Sequence, residues 1–264
     1  MEVRKILNCD IPLVLEYIKK EREMNLFLEG DIEQYGLEGP IVELFAFSEP
    51  WDCILLRYFQ NYVIYSSNED YKAADVAAFL KDKKVQVISG KESLLKMISP
   101  YYPSLKIQGT YLCRCESGTK RETVYGNREI RKLDSNDAES LAALYKTIKE
   151  FSKPYIEHEA EKIQELKESL GLASLAFGLF EGPLLVSAGY ATAKTKSGAM
   201  IVGVATREGY RQKGYATQVV DALCSESFDS GLSFLCLFYD NPKAGEIYRK
   251  IGFKEIGRWG MLKF

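Results

Sequence analysis

Histidine occurs once in the 264 residues, at His158, and tryptophan only twice. A Ser-His or Cys-His acyl-enzyme would therefore rest on one imidazole, and that imidazole sits in the polar stretch "IEHEAEK" with no nucleophile motif beside it. His158 reads as a solvated helix residue, with contact to a substrate as the other reading. Long apolar runs are missing too: none approaches the roughly 18 residues that would cross a bilayer. The opening "MEVRKILNCDIPL" has no continuous apolar core and no small-residue cleavage site, so the expected location is the cytoplasm. Neither sign of charge dominates. With 35 basic and 37 acidic residues, net −2, no broad basic face points to nucleic acid or to a membrane surface, and the expected partner is a small molecule. The six cysteines (Cys9, Cys53, Cys113, Cys115, Cys224, Cys236) have no disulfide-framework spacing and suit a reducing compartment. Cys113 and Cys115 would share one side of a strand, but two ligands without a nearby histidine make no zinc site, and no metal is expected.

What is present is enough apolar material, 46% of residues, to bury a full core. The texture changes once, at "ESGTKRETVYGNR" (116–128), a polar, charged, glycine-containing stretch between apolar ones. A boundary near Gly126 divides the chain into domains 1–125 and 126–264. The first reads as a helix over about 11–24, strands "IVELFAF", "CILLRYF" and "YVIYSS", a helix "KAADVAAFL", strand "VQVIS", helix "SLLKMI" and strand "KIQGTYLC". The second opens with strand "REIRKL", then a helix in "DSNDAESLAALYKTI" capped by Asp134 or Ser135, and a further helix over about 157–169. "LAFGLF", "LLVSAGYATA" and "AMIVGVA" follow as antiparallel strands. The fold class is α/β, an α+β arrangement on a mixed sheet.

Two short stretches carry chemistry. "TREGYRQKGYAT" (206–217) stands between "AMIVGVA", a strand expected to be buried on both faces, and a helix whose apolar stripe is Ala216, Val219, Val220 and Leu223. Such a strand-to-helix turn offers unpaired N–H groups and the positive end of a helix dipole, where anions bind. Gly214 lacks a Cβ, which lets a phosphate approach, and Arg211 and Lys213 add charge. The spacing is neither that of a nucleotide P-loop nor that of a dinucleotide fingerprint. The second stretch, "SFLCLFYDNPKAGEIYRKIGF" (233–253), reads as a strand, Asn241 as N-cap, Pro242 at the first helical position and a helix ending at Gly252.

Arg211-Gln212-Lys213-Gly214-Tyr215-Ala216 fills an R-x-x-G-x-A pattern and resembles the coenzyme A pyrophosphate loop of the GNAT superfamily of acyl-CoA N-acyltransferases. Asn241, Ala244, Ile247, Tyr248, Gly252 and Phe253 resemble the next block of the same superfamily, N-x-x-A-x-x-[LI]-Y-x-x-x-G-F, in the right order and context. The resemblance covers about 128–264 and implies an acetyltransferase that takes acetyl-CoA, or another short acyl-coenzyme A, as donor. It implies that the backbone at Val204 and Thr206 pairs with the pantetheine arm and that Arg211, Gln212, Lys213, Gly214, Tyr215, Ala216 and Thr217 hold the pyrophosphate. Asn241 would contact the arm, and Tyr248 would be the general acid at the thioester sulfur.

The chemistry agrees. Aminolysis of a thioester needs a neutral amine, a polarised carbonyl and a proton for the departing thiolate, and a phenol of reference pKa ~10 keeps that proton near neutrality. Tyr248 also shares a helix stripe with Ala244, Ile247 and Ile251, so a core role and an acid role are both open. No carboxylate lies in "AMIVGVAT" to act as base. Glu208 reads as a turn residue and Asp240 as a neighbour of the capping Asn241, which leaves a base working through water, or none.

The first half repeats the strand–helix–strand order of the second. It reads either as a degenerate GNAT-like copy or as an unrelated α/β domain that walls the acceptor cleft or stabilises the fold. At its equivalent turn "SSNEDYK" carries two acids and no glycine, so one cofactor site is expected. The expected activity is direct transfer of an acetyl or short acyl group to a primary amine of a small molecule, amino acid or peptide. A catalytically weak module that binds acyl-CoA or a partner is the alternative.

Overall fold

The computed structural model describes residues 2–119, 129–171 and 175–264. The expected boundary near Gly126 lies outside the described residues. By contact density the chain forms two compact units, one of residues up to 112 together with 255–264, the other of residues 113–254.

The first half contributes β1 (Val3–Ile6), α1 (Ile11–Ile18), α2 (Leu26–Tyr35), β2 (Val42–Phe47), β3 (Cys53–Tyr58), β4 (Asn61–Tyr65), α3 (Ala73–Leu80), β5 (Val87–Lys91), α4 (Glu92–Ile98) and β6 (Gln108–Glu116). The helix expected over 11–24 stops at Ile18, where a 3-10 turn of the charged Lys19–Glu21 intervenes. The second half contributes β7 (Glu129–Lys132), α5 (Ala138–Tyr145), α6 (Ser152–Glu157), α7 (Glu159–Gly171), β8 (Leu175–Glu181), β9 (Leu184–Thr192), β10 (Gly198–Thr206), α8 (Tyr215–Asp229), β11 (Phe234–Tyr239), α9 (Pro242–Ile251) and β12 (Lys254–Lys263). Asp134 is the cap at the start of the α5 region, its carboxylate accepting from the Asn136 N–H at 2.8 Å. The helix expected over 157–169 is two helices, broken at His158.

In the first unit β1 to β4 form an antiparallel meander, β5 joins β4 in parallel after the α3 crossover, and β12 pairs antiparallel with β5. In the second, β7 to β10 form a second antiparallel meander, and β11 joins β10 in parallel after α8. The first unit thus takes its sixth strand, β12, from the far end of the chain. The first core packs Leu55, Ile64, Ile88 and Leu262 against Val76, Leu94 and Leu95 of α3 and α4. The second packs Leu141, Leu144, Leu166 and Leu170 of α5 and α7 on Leu185 and Ala188 of β9. On the opposite face, Val219 and Leu223 of α8 lie at the distance at which a Cβ on Gly189 would touch them. Antiparallel meanders closed by a helix-crossed parallel pair are an α+β design on a mixed sheet.

Candidate active site

β10 and β11 are in register only from Gly198↔Phe234 to Ile201↔Leu237. β10 runs on to Thr206 and β11 to Tyr239, so the two strands part before their ends. At the same level the β9–β10 ladder shifts between Val202 and Ala205, and the residue there, Gly203, has φ +64°. A bulge of this kind bends the strand and releases backbone groups from the ladder. β10 accordingly is not buried throughout: Gly198–Ile201 are buried, whereas Val202, Gly203 and Val204 are half-exposed.

Glycine is required at the bulge. A Cβ on Gly203 would lie 2.4 Å from Tyr145 Oη and 2.6 Å from Tyr190 Cε1. Tyr145 Oη donates to the Gly203 carbonyl at 2.9 Å. Gly203→Ala combines a left-handed backbone with this collision, and is expected to destabilise the protein by about 2–4 kcal/mol in urea denaturation. A loss below about 0.5 kcal/mol would mean that the bulge relaxes freely.

Beyond Thr206 the chain turns into α8. Arg207 Nε donates to the Leu185 carbonyl at 2.9 Å and Arg211 Nε to the Thr206 carbonyl at 3.1 Å, which ties the turn to the strand that precedes it. Gln212 (φ +62°) and Gly214 (φ +78°) are both left-handed. Gly214 is the N-cap of α8 and provides no side-chain cap, so the dipole end and the first-turn N–H groups of the helix are left for an anion. A Cβ on Gly214 would meet only Gln218 Nε2, at 3.9 Å. The backbone conformation, more than the space, therefore requires glycine. Lys213 Nζ sits 5.1 Å from the centre of the Tyr210 ring. The Tyr215 side chain turns inward and hydrogen-bonds Glu181, so what it can offer a ligand is backbone. Ala216 and Thr217 complete the first turn.

Gln218, on the first turns of α8, belongs to neither motif. It is buried, and its Oε1 has no hydrogen-bond partner among the described residues. The signal was a polar residue one turn after Gly214, beside the apolar stripe of α8.

In the second motif Asn241 caps α9, its Oδ1 accepting from the Lys243 N–H at 3.0 Å, and Gly252 closes the helix at φ +107°. Tyr248 is 8% exposed and packs among Tyr239 and Phe253, with ring centres 6.1 and 6.2 Å away. Burial, with Cys113 nearby, pushes its phenol up to about 12. Because β10 and β11 are parallel, both motifs follow carboxyl ends of neighbouring strands and lie at one edge of the sheet. Glu208 belongs to an exposed 3-10 turn and Asp240 is exposed. His158 ends α6, with its side chain 58% exposed and Nδ1 3.6 Å from Glu161.

The parallel pair of the first unit is built differently. β4 and β5 stay in register up to Ile64↔Gly90, and Lys91, next along β5, hydrogen-bonds both Glu21 and Glu69. Glu69 lies in the "SSNEDYK" turn, where Ser66 Oγ donates to the carbonyls of Asp52 and Asp70. The chain's own groups occupy that turn.

Residues 142–253 match the model of the acetyltransferase (GNAT) family. The C-terminal unit is a GNAT domain. No curated protein is significantly similar to the chain. Among solved structures, a Drosophila protein is similar over 99% of this chain and 98% of its own, with a TM-score of 0.73 at 11% identity. A tandem GNAT protein from the clavulanic acid biosynthesis pathway is similar over 100% and 98%, with a TM-score of 0.61 at 9% identity. A GCN5-related N-acetyltransferase from Sphaerobacter thermophilus is similar over 100% and 95%, with a TM-score of 0.61 at 12% identity. At these identities the likeness is one of fold: a GNAT domain preceded by a GNAT-like one. Among the described residues no helix of the GNAT domain or its companion is long and apolar enough to cross a membrane.

Proposed function

We propose that the GNAT domain transfers an acetyl group from acetyl-CoA directly to the nitrogen of a primary amine, without an acyl-enzyme. The observation that carries this reading is the parting of β10 from β11 at the Gly203 bulge, beside a helix whose N-terminus has no side-chain cap. The donor set fits: a released strand edge at Val204 and Thr206 for the pantetheine amides, and Arg211, Gln212, Lys213, Gly214, Tyr215, Ala216 and Thr217 around an anion at the α8 N-terminus. Asn241 stands at the start of α9, beside the arm. When bound, acetyl-CoA supplies a thioester carbonyl, and amine attack forms the C–N bond as the C–S bond breaks. Tyr248 holds the proton for the departing sulfur. A phenol at about 12 stays protonated throughout the neutral range, so it adds no break to the pH profile there. The halves 1–125 and 126–264 are then two copies of one fold, of which only the second keeps the cofactor turn.

The test is a thermal melt with and without acetyl-CoA, followed by an amine screen. Ligand at about 100 times its dissociation constant stabilises the native state by about 2.7 kcal/mol, so an upward shift is expected. The absence of a shift at millimolar acetyl-CoA would sink the reading. Tyr248→Phe is expected to keep the shift and to lower kcat by roughly tenfold to a hundredfold. An unchanged kcat would assign Tyr248 to the core alone.

A further inference from the structure

Resting on that reading, a residue outside both motifs completes the cofactor turn. Gln218 is in the first turns of α8, and its backbone N–H donates to the carbonyl of the N-cap, Gly214, at 3.1 Å. A long side chain at that place in a helix leans back over the turn before it. Gln218 does so: the atom that a Cβ on Gly214 would meet is its Nε2, at 3.9 Å.

The amide is unused. A carboxamide carries two N–H donors and a carbonyl acceptor. Gln218 is only 6% exposed, yet neither end of its amide makes a hydrogen bond among the described residues. The two ends are placed differently: Oε1 is sealed from solvent, while Nε2 is the end beside Gly214. A sealed acceptor without a partner destabilises the protein that carries it, so its retention calls for a reason. Packing is not that reason. In the first unit α3 crosses a parallel pair as α8 does in the second, and four residues after its N-cap Lys72 stands Val76, fully buried in that core. An apolar side chain therefore serves at the same place of the same design.

What an amide adds is a fixed donor beside a helix N-terminus. The cations of the turn are held less directly: Arg211 Nε donates to the Thr206 carbonyl, and Lys213 Nζ lies 5.1 Å from the centre of the Tyr210 ring. Gln218 is already immobilised by burial and loses little freedom when a ligand arrives. We propose that Gln218 Nε2 donates to a pyrophosphate oxygen of coenzyme A, which makes this side chain a cofactor ligand held ready at the α8 N-terminus. Glycine at 214 then has a second use, since a side chain there would stand between the amide and the anion.

The test is calorimetry with acetyl-CoA on Gln218→Met and Gln218→Glu, with melting temperatures in buffer alone as the folding control. Methionine keeps the length and removes both polar atoms. Its variant is expected to melt at or above the parent temperature, because the sealed acceptor is gone, and to bind acetyl-CoA at least about fivefold more weakly. Glutamate keeps the shape and suits the first turns of a helix, but sets a like charge against the pyrophosphate. It is expected to weaken binding at least about thirtyfold, and it carries the test should Gln218→Met fold poorly. Phosphorus NMR of coenzyme A at saturation locates the contact: between parent and Gln218→Met the two pyrophosphate resonances move and the ribose phosphate resonance stays. A structural role for Gln218 would not single out the pyrophosphate. Parental affinity in either folded variant, or pyrophosphate resonances that do not move, overturns the proposal and leaves acetyl transfer standing. Absence of the acetyl-CoA melt shift in the parent protein overturns acetyl transfer itself.

Discussion

Gly214→Asp is expected to fold as the parent does and to lose acetyl-CoA. The position is the N-cap of α8, where aspartate is among the favoured residues, and the left-handed φ of +78° is one that aspartate tolerates better than most. Space is available, since the nearest atom to a new Cβ is Gln218 Nε2 at 3.9 Å. The change should therefore alter stability by no more than about 1 kcal/mol, in either direction. Its carboxylate, however, would cap the first-turn N–H groups that the pyrophosphate is proposed to use, and would set a like charge against the anion. Losing these bonds and adding that repulsion is expected to cost at least about 3 kcal/mol, or more than a hundredfold in Kd. Calorimetry with acetyl-CoA reads this, and the melting temperature in buffer alone controls for folding. Gly214→Ala separates the two contributions: it carries the conformational strain without the charge, and should weaken binding far less than aspartate does. Parent-like affinity in Gly214→Asp would move the cofactor away from this turn.

What could be read in the sequence was what is local. Asn241, Pro242 and Gly252 mark the ends of α9 because capping bonds and a left-handed stop are made within one turn of chain, and the structure has all three. The strand–turn–helix around Gly214 was legible for the same reason. The pairing of β12 with β5 was not, because strand register is set by pairing partners more than a hundred residues away and leaves no periodicity of its own. The bulge was equally hidden. "AMIVGVA" reads as an unbroken apolar strand, and nothing in it says that Gly203 turns left-handed against Tyr145, a residue 58 positions earlier. So the strand-to-helix turn at Gly214 was visible and the tyrosine packing at Gly203 was not. Tyr145 and Tyr190 read as ordinary core residues, and only the bulge shows that they stand against Gly203.

The first unit carries a different liability, at Asp31. It lies on α2 one turn from Phe27, which packs near Trp259 at 6.3 Å, and one turn from Tyr35, which packs near Tyr58 at 5.8 Å. Burial leaves its carboxyl poorly solvated and pushes it up to about 7. No lysine, arginine or histidine occurs from residue 23 to residue 56, so the stretch itself brings no cation to hold the charge. The folded value lies above the unfolded one of 3.8, so the unfolded chain releases this proton first as pH rises. Stability from this group is thus greatest below about pH 4 and falls until about pH 7, by up to about 4 kcal/mol if the whole shift is expressed. Asp31→Asn keeps the shape and removes the titration. At pH 8 it is expected to raise the melting temperature by roughly 5–10 °C, and near pH 4 to leave it within about 2 °C of the parent. The pH dependence makes the result specific, since a packing effect of the amide would shift both melts alike. Equal shifts at pH 4 and pH 8 would show that the Asp31 carboxyl is well solvated in the folded protein and that burial does not set its charge.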